Sequence, residues 1–213
     1  MPDTPSRFAR VQAAYTAAVR RAAARAMDRL GASWVTPNLL SGAGLALCIA
    51  GSVLVYFEYK GWWFFLLGSF VFFIGAVLDI LDGALARSHG KGTPFGAFVD
   101  STVDRIGEAF MLGAIALVLM RDGNEWGVAL TVAAVAGSFL VSYTRAKAEA
   151  LGLKGDVGLG SRTERVAVLC IGLAFAPLGA LPWVIVVLTA TAWITVLQRM
   201  LSVRSQLRER HPL

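Results

Sequence analysis

The spacing of apolar residues changes character along this chain. Between Phe8 and Leu30, the apolar positions Phe8, Val11, Tyr15, Val19, Ala22, Ala26 and Leu30 recur at helical intervals, and Arg10, Arg20, Arg21 and Arg25 fall away from that stripe. The pattern predicts an amphipathic helix lying on the anionic cytoplasmic face of a membrane. From Leu39 onward the stripe gives way to uncharged runs, each near the ~20 residues that a helix needs to cross a bilayer. Leu39 to Phe57 forms the first, Gly61 to Leu78 opens the second, and Trp126 to Thr144 forms the fourth. Ala109 to Met120 is clean but short, so the third helix must take its first turns from the charged stretch holding Asp100, Asp104, Arg105 and Glu108. Val166 to Gln198 is too long for one span, and Pro177, Gly179 and Pro182 divide it into a fifth and a sixth.

The expectation is an all-α integral membrane protein with six transmembrane helices preceded by an interfacial amphipathic helix. Residues 1–35 form the N-terminal cytoplasmic segment, 36–205 the membrane domain and 206–213 a cytoplasmic tail. Composition agrees: of 213 residues, 56% are hydrophobic and 16% charged, far more apolar than soluble domains. The net charge of +6 raises the question of nucleic acid. Its placement argues against that partner, because the basic residues sit between apolar runs rather than along one face. Six spans leave Lys60 and Arg121 on one side and the other eighteen Lys and Arg, with both termini, on the opposite side, which the positive-inside rule makes cytoplasmic. The first thirty residues carry six arginines and no compact apolar core, so no secretory signal is expected. Cys48 and Cys170 lie in apolar runs and form neither a disulfide framework nor a spaced zinc set.

Chemistry concentrates where the second apolar run ends. On a helix, Asp79, Asp82, Gly83 and Ala86 fall within an arc of ~100°. After a turn containing Gly90, Gly92 and Pro94, the next helix presents Gly96, Asp100 and Asp104 at successive i, i+4 positions. A short connection makes these two helices antiparallel neighbours, so four carboxylates converge at the cytoplasmic edge of the membrane. Unpaired charges there are costly. A hard dication held by carboxylate oxygens resolves the cost, with Mg²⁺ or Mn²⁺ favoured by an all-oxygen set, and two ions could clamp a diphosphate. Gly83 and Ala86 leave room for a bulky ligand, or else for close helix packing. Helix-end charges at the water interface would account for one or two of these aspartates more readily than for all four.

Asp79-x2-Asp82-Gly83-x2-Ala86-Arg87-x8-Gly96-x3-Asp100-x3-Asp104 resembles the complete signature of the CDP-alcohol phosphatidyltransferases. The resemblance implies a six-helix membrane fold, a homodimer and a cytoplasmic active site. It implies metal binding by Asp79, Asp82, Asp100 and Asp104, with Asp104 also the general base. Gly83 and Arg87 would contact the CDP moiety, as would Thr93. The segment Thr36-Pro37-Asn38-Leu39-Leu40-Ser41 resembles the family's approach to its first span and nominates Asn38 and Ser41 as nucleotide contacts; for Pro37 and Asn38, ordinary helix initiation is the other reading. The implied reaction is attack of an acceptor hydroxyl on the lipid-side phosphorus of a CDP-diacylglycerol-type lipid, with release of CMP and no covalent enzyme intermediate.

The acceptor is sought in a second basic stretch. Ser142 to Glu149 and Ser161 to Arg165 gather Arg145, Lys147, Arg162 and Arg165 around two helix ends, either as a phosphate pocket or as positive-inside bias. The stretch resembles the subgroup that makes phosphatidylinositol phosphate or its archaeal ether-lipid counterpart, and Ser101-Thr102-x-Asp104-Arg105 leans the same way. Lys147 and Ser161 depart from that pattern, where Arg and Glu are usual. On this resemblance Ser142, Arg145, Arg162 and Arg165 bind the phosphate of a small phosphorylated alcohol, inositol phosphate first and glycerol 3-phosphate second. A metal-coupled transporter is the rival class. It calls for acids spread through the membrane depth, whereas these cluster toward one side.

Overall fold

The computed structural model describes residues 37–88, 93–159 and 162–210, with side chains from residue 39 onward except those of 80–88. The amphipathic segment expected from Phe8 to Leu30 lies outside these residues. Among them are six α-helices: α1 (Pro37–Tyr56), α2 (Trp63–Ser88), α3 (Pro94–Arg121), α4 (Glu125–Ala150), α5 (Arg162–Ala174) and α6 (Leu181–Arg210). Each expected apolar run falls in its own helix. The break between α5 and α6 is a short 3₁₀ turn at Ala176–Leu178, ended by Gly179 at φ 78°, a left-handed conformation that glycine adopts without a Cβ penalty. Segments Leu39–Lys60, Glu125–Ala150 and Leu181–Arg210 are long and apolar enough to cross a membrane. Helix α5 has 13 residues, about 20 Å at the α-helical rise. Helix α6 runs to Arg210.

Packing closes the helices into a ring. Helix α1 lies against α2 and α3, α3 against α4, α4 against α6, and α5 joins α6 back to α2. Met111, Ile115 and Leu119 of α3, Leu169 and Leu173 of α5, Ile185 of α6, Phe72 of α2 and Val55 of α1 fill its core. Sequence reasoning made α2 and α3 close antiparallel neighbours. They touch only slightly, and α1 is the principal partner of both.

Glycine explains that arrangement. Along the α1–α2 contact, Gly44 and Gly51 face Gly75 and Gly68, and a Cβ added at Gly51 would sit 2.7 Å from the Gly68 carbonyl oxygen. At Gly75 a Cβ would sit 2.7 Å from the Gly44 carbonyl oxygen. Backbones approach this closely only where side chains are absent, which is how small residues let helices associate in apolar surroundings. Since the clash is with rigid backbone, Gly51→Leu is expected to lower stability by about 3 kcal/mol, the upper range for overpacking. Thermal unfolding of the detergent-solubilised variant measures it; an unchanged transition would show that the crossing tolerates separation.

The two ends of the ring differ. At one end Arg121 donates to the Tyr56 carbonyl at 3.2 Å, pairs with Glu58 and lies 4.5 Å from the Tyr59 ring centroid. The exposed tryptophans Trp62, Trp63, Trp126 and Trp183 sit at or just before the starts of α2, α4 and α6, the same end. Tryptophans of this kind favour a membrane–water interface. The aspartates occupy the opposite end.

Candidate active site

Helix geometry brings Asp100 and Asp104 onto one face of α3, and the glycine crossing places Asp79, one turn beyond Gly75, opposite them. Carboxylate oxygens of Asp79, Asp100 and Asp104 lie within 4.8 Å of one another. Asp79 is 4% exposed. The side chain of Asp82 lies outside the described residues, as do those of Asn38 and Arg87 and the surroundings of Gly83.

Sequence reasoning found one arginine, Arg87, built into the first acidic segment and Arg105 beside Asp104. The structure supplies another from far along the chain: Arg162, at the first turn of α5, pairs through Nη1 with Asp79 and, at 2.6 Å, with Asp104 Oδ1. One guanidinium thus answers two of the carboxylates, Asp79 and Asp104. The Asp79 Oδ1 atom is buried without a hydrogen-bond partner among the described residues. A buried, unpartnered carboxylate oxygen in an all-oxygen cluster suits a hard divalent cation such as Mg²⁺ or Mn²⁺. The residues present therefore fit the expected metal.

Beside the cluster opens a cavity of about 700 Å³, bordered by Asp100, Ser101, Asp104, Arg105 and Glu108 of α3, Ser142, Arg145 and Glu149 of α4, Asp156 and Gly158 of the following loop, Arg162 and Arg165 of α5, and Arg199 of α6. All four residues nominated for the acceptor border it. Ser41 is buried on α1, and Thr93 caps α3 by accepting from the Gly96 N–H at 2.9 Å; neither borders the cavity.

The four cavity arginines contributed by α4 to α6 are held by internal partners. Arg165 forms a fork with Glu108, Nε to Oε1 at 2.7 Å and Nη2 to Oε2 at 3.0 Å, with both side chains 5% exposed. Arg145 pairs with Glu149 at 2.9 Å, in the open. Arg199 donates to the Val157 carbonyl at 2.8 Å and to that of Val141, drawing loop and α4 onto α6. Gln206 and Arg210 extend this seam, bonding Lys154 and the Gly152 carbonyl.

Sequence reasoning missed Arg105, Glu108 and Arg199 as cavity residues. Glu108 was within reach, as the next i+4 position after Asp100 and Asp104. Arg199 carries no local signal; it was counted among the topology-setting cations of the C-terminal segment.

Comparison with known proteins identifies the family and the fold. Over 201 residues the chain is 34% identical to the phosphatidylinositol phosphate synthase of Mycolicibacterium smegmatis, covering 91% of this chain and 87% of that one. It is 35% identical over 176 residues to the archaetidylinositol phosphate synthase of Pyrococcus horikoshii, covering 81% and 86%. The fold matches crystal structures of Mycobacterium tuberculosis phosphatidylinositol phosphate synthase. With CDP-DAG bound the TM-score is 0.74 at 29% identity, covering 87% and 92%; with manganese and citrate it is 0.73 at 30%, covering 87% and 88%. The CDP-alcohol phosphatidyltransferase family matches residues 34–201. That match begins before α1 and ends inside α6, taking in the carboxylate cluster and the cavity together, and the protein belongs to the CDP-alcohol phosphatidyltransferase family.

Proposed function

We propose that this protein is a phospholipid-synthesising enzyme that transfers a phosphatidyl group from CDP-diacylglycerol, or an ether-lipid analogue, to a hydroxyl of inositol phosphate, releasing CMP. One observation carries the reading: a cluster of carboxylates suited to a divalent cation adjoins a large arginine-bordered cavity, with Asp100 and Asp104 belonging to both. The names of the relatives given above support inositol phosphate over glycerol 3-phosphate.

Within that reading Asp79, Asp82, Asp100 and Asp104 hold one or two ions, which when bound neutralise the donor diphosphate and ease departure of CMP. Asp104 accepts the proton of the acceptor hydroxyl, whose oxygen then attacks the lipid-side phosphorus. Gly83 and Arg87, with Asn38, Ser41 and Thr93, form the donor side. Ser142, Arg145, Arg162 and Arg165 form the acceptor side. Arg162 touches both halves, because it pairs with Asp79 and Asp104 while bordering the cavity.

The six helices cross the membrane with the aspartates and both termini in the cytoplasm, and two copies form a homodimer. Exposed tryptophans at the far end, where Lys60 and Arg121 are the only Lys or Arg among the described residues, support this orientation. Purified protein supplied with CDP-diacylglycerol, Mn²⁺ and labelled acceptors tests the reaction. Inositol phosphate is expected to give lipid product, and chelation with EDTA to abolish it. Product with glycerol 3-phosphate alone would overturn the acceptor assignment, and full activity after chelation the metal assignment.

A further inference from the structure

We infer that Gln206 is a positioning residue for the transfer reaction, its carboxamide clamping the backbone of Lys154 so that the loop between α4 and α5 stands as a fixed wall of the cavity. The inference rests on the transferase reading and extends it to the last turns of α6, to a residue that does not itself border the cavity.

The loop begins as a Schellman turn. The Gly152 and Leu153 amides donate to the Glu149 and Ala148 carbonyls, each at 2.9 Å, with Gly152 at φ 68° and Leu153 buried. Beyond it the chain returns along α4, where a Cβ added at Gly155 would sit 2.9 Å from the Arg145 carbonyl oxygen. At Gly158, φ 135°, the backbone presses on α6, and a Cβ there would collide with Thr195. Asp156 and Gly158 border the cavity, and the chain then enters α5 at Arg162, the partner of Asp79 and Asp104. The position of this loop therefore sets one side of the cavity.

Gln206 holds the middle of that loop. Its Oε1 accepts from the Lys154 N–H at 2.9 Å and its Nε2 donates to the Lys154 carbonyl at 3.0 Å, so one carboxamide pairs with both backbone groups of a residue 52 positions away. Nε2 also donates to Ser202 Oγ at 3.2 Å, one turn back on α6, which holds the side chain in place. The amide oxygen and both amide hydrogens are thus used, and the opposite orientation of the amide would satisfy neither backbone group of Lys154. Arg199, Ser202, Gln206 and Arg210 share one face of α6 at intervals of three and four residues. Arg199 binds the Val157 carbonyl and Arg210 the Gly152 carbonyl, on either side of Lys154. A merely solvated helix face would not meet one loop at successive contact positions. Without the clamp the two ends of the loop keep their own contacts, and its middle must be ordered when the acceptor binds. That cost falls on acceptor affinity.

Gln206→Leu keeps a side chain of similar size and removes all three hydrogen bonds. In the full-length protein in detergent with Mn²⁺, amide hydrogen exchange across residues 152–158 is expected to quicken about threefold to tenfold, the scale of one or two ordinary hydrogen bonds. The acceptor KM for inositol phosphate should rise by a similar factor, while kcat, the KM for CDP-diacylglycerol and the unfolding temperature stay near wild type. Gln206→Glu can still accept from the Lys154 N–H and should fall between. Unchanged exchange in the leucine variant overturns the clamp. Quicker exchange with an unchanged acceptor KM, or equal rises in both KM values with a lower unfolding temperature, overturns the positioning role. If Gln206→Leu does not purify as folded protein, unchanged exchange or an unchanged acceptor KM in Gln206→Glu has the same force. A wild-type protein that makes no lipid product from inositol phosphate instead sinks the transferase reading, and the positioning role with it, whereas the exchange comparison decides the clamp by itself.

Discussion

Asp104→Asn is expected to reduce CMP release at least about a thousandfold, within the range for loss of a general base. Asparagine keeps the size of the side chain and one oxygen for a cation, but it has no negative charge and cannot take the acceptor's proton. The decisive design measures CMP release from labelled CDP-diacylglycerol alongside Mn²⁺ affinity by calorimetry. A variant that binds Mn²⁺ within about tenfold of wild type yet does not turn over separates the proton-accepting role from the metal-holding one. CMP release surviving the substitution would contradict the general-base assignment. Asp79→Asn is the useful contrast, because Asp79 holds Arg162 and offers an unpartnered oxygen but borders only the carboxylate cluster, not the larger cavity. Its loss should appear chiefly as weakened Mn²⁺ binding.

Glu108→Ala is the largest stability effect expected, a loss of about 3–5 kcal/mol. Glu108 and Arg165 are both 5% exposed and joined by two hydrogen bonds, so alanine leaves a buried guanidinium without its counter-charge. Removing both charges removes the cause of the penalty. Glu108→Met combined with Arg165→Met should therefore recover most of the unfolding temperature while acceptor use stays impaired, since Arg165 borders the cavity. Equal instability of the single and double variants would show that the pair contributes by shape rather than by charge. The pair spans 57 residues and pins α5 to α3. Positions along α5, Arg162 among them, thus depend on it.

Much of the fold is legible in the amino-acid sequence. Helices in apolar surroundings satisfy their own backbone hydrogen bonds, so an uncharged run of suitable length predicts a helix with little ambiguity. Each expected run falls in a helix, and the Pro177–Pro182 segment does divide α5 from α6. Within a helix the i, i+4 relation is geometric, so placing Asp100 and Asp104 on one face needs only the order of residues. The spacing from Asp79 to Asp104 resembles the family signature, and the family match over residues 34–201 bears that out.

Tertiary structure decided everything that depends on which helix faces which. The aspartate faces of α2 and α3 do meet, but the main partner of both helices is α1, because Gly44, Gly51, Gly68 and Gly75 let α1 approach α2 more closely than any larger residue would allow. The counter-charge to the aspartates could not be read from the chain, since Arg162 lies 83 residues from Asp79 and either a metal or an arginine answers the same electrostatic demand. Nor could the sequence tell which arginines pair with Glu108, Glu149 or backbone carbonyls. Spacing along a helix is set by covalent geometry, so the four aspartates and the reaction class were written in the sequence. Pairing between helices is set by how their surfaces pack, and that alone placed Arg162 among the acids.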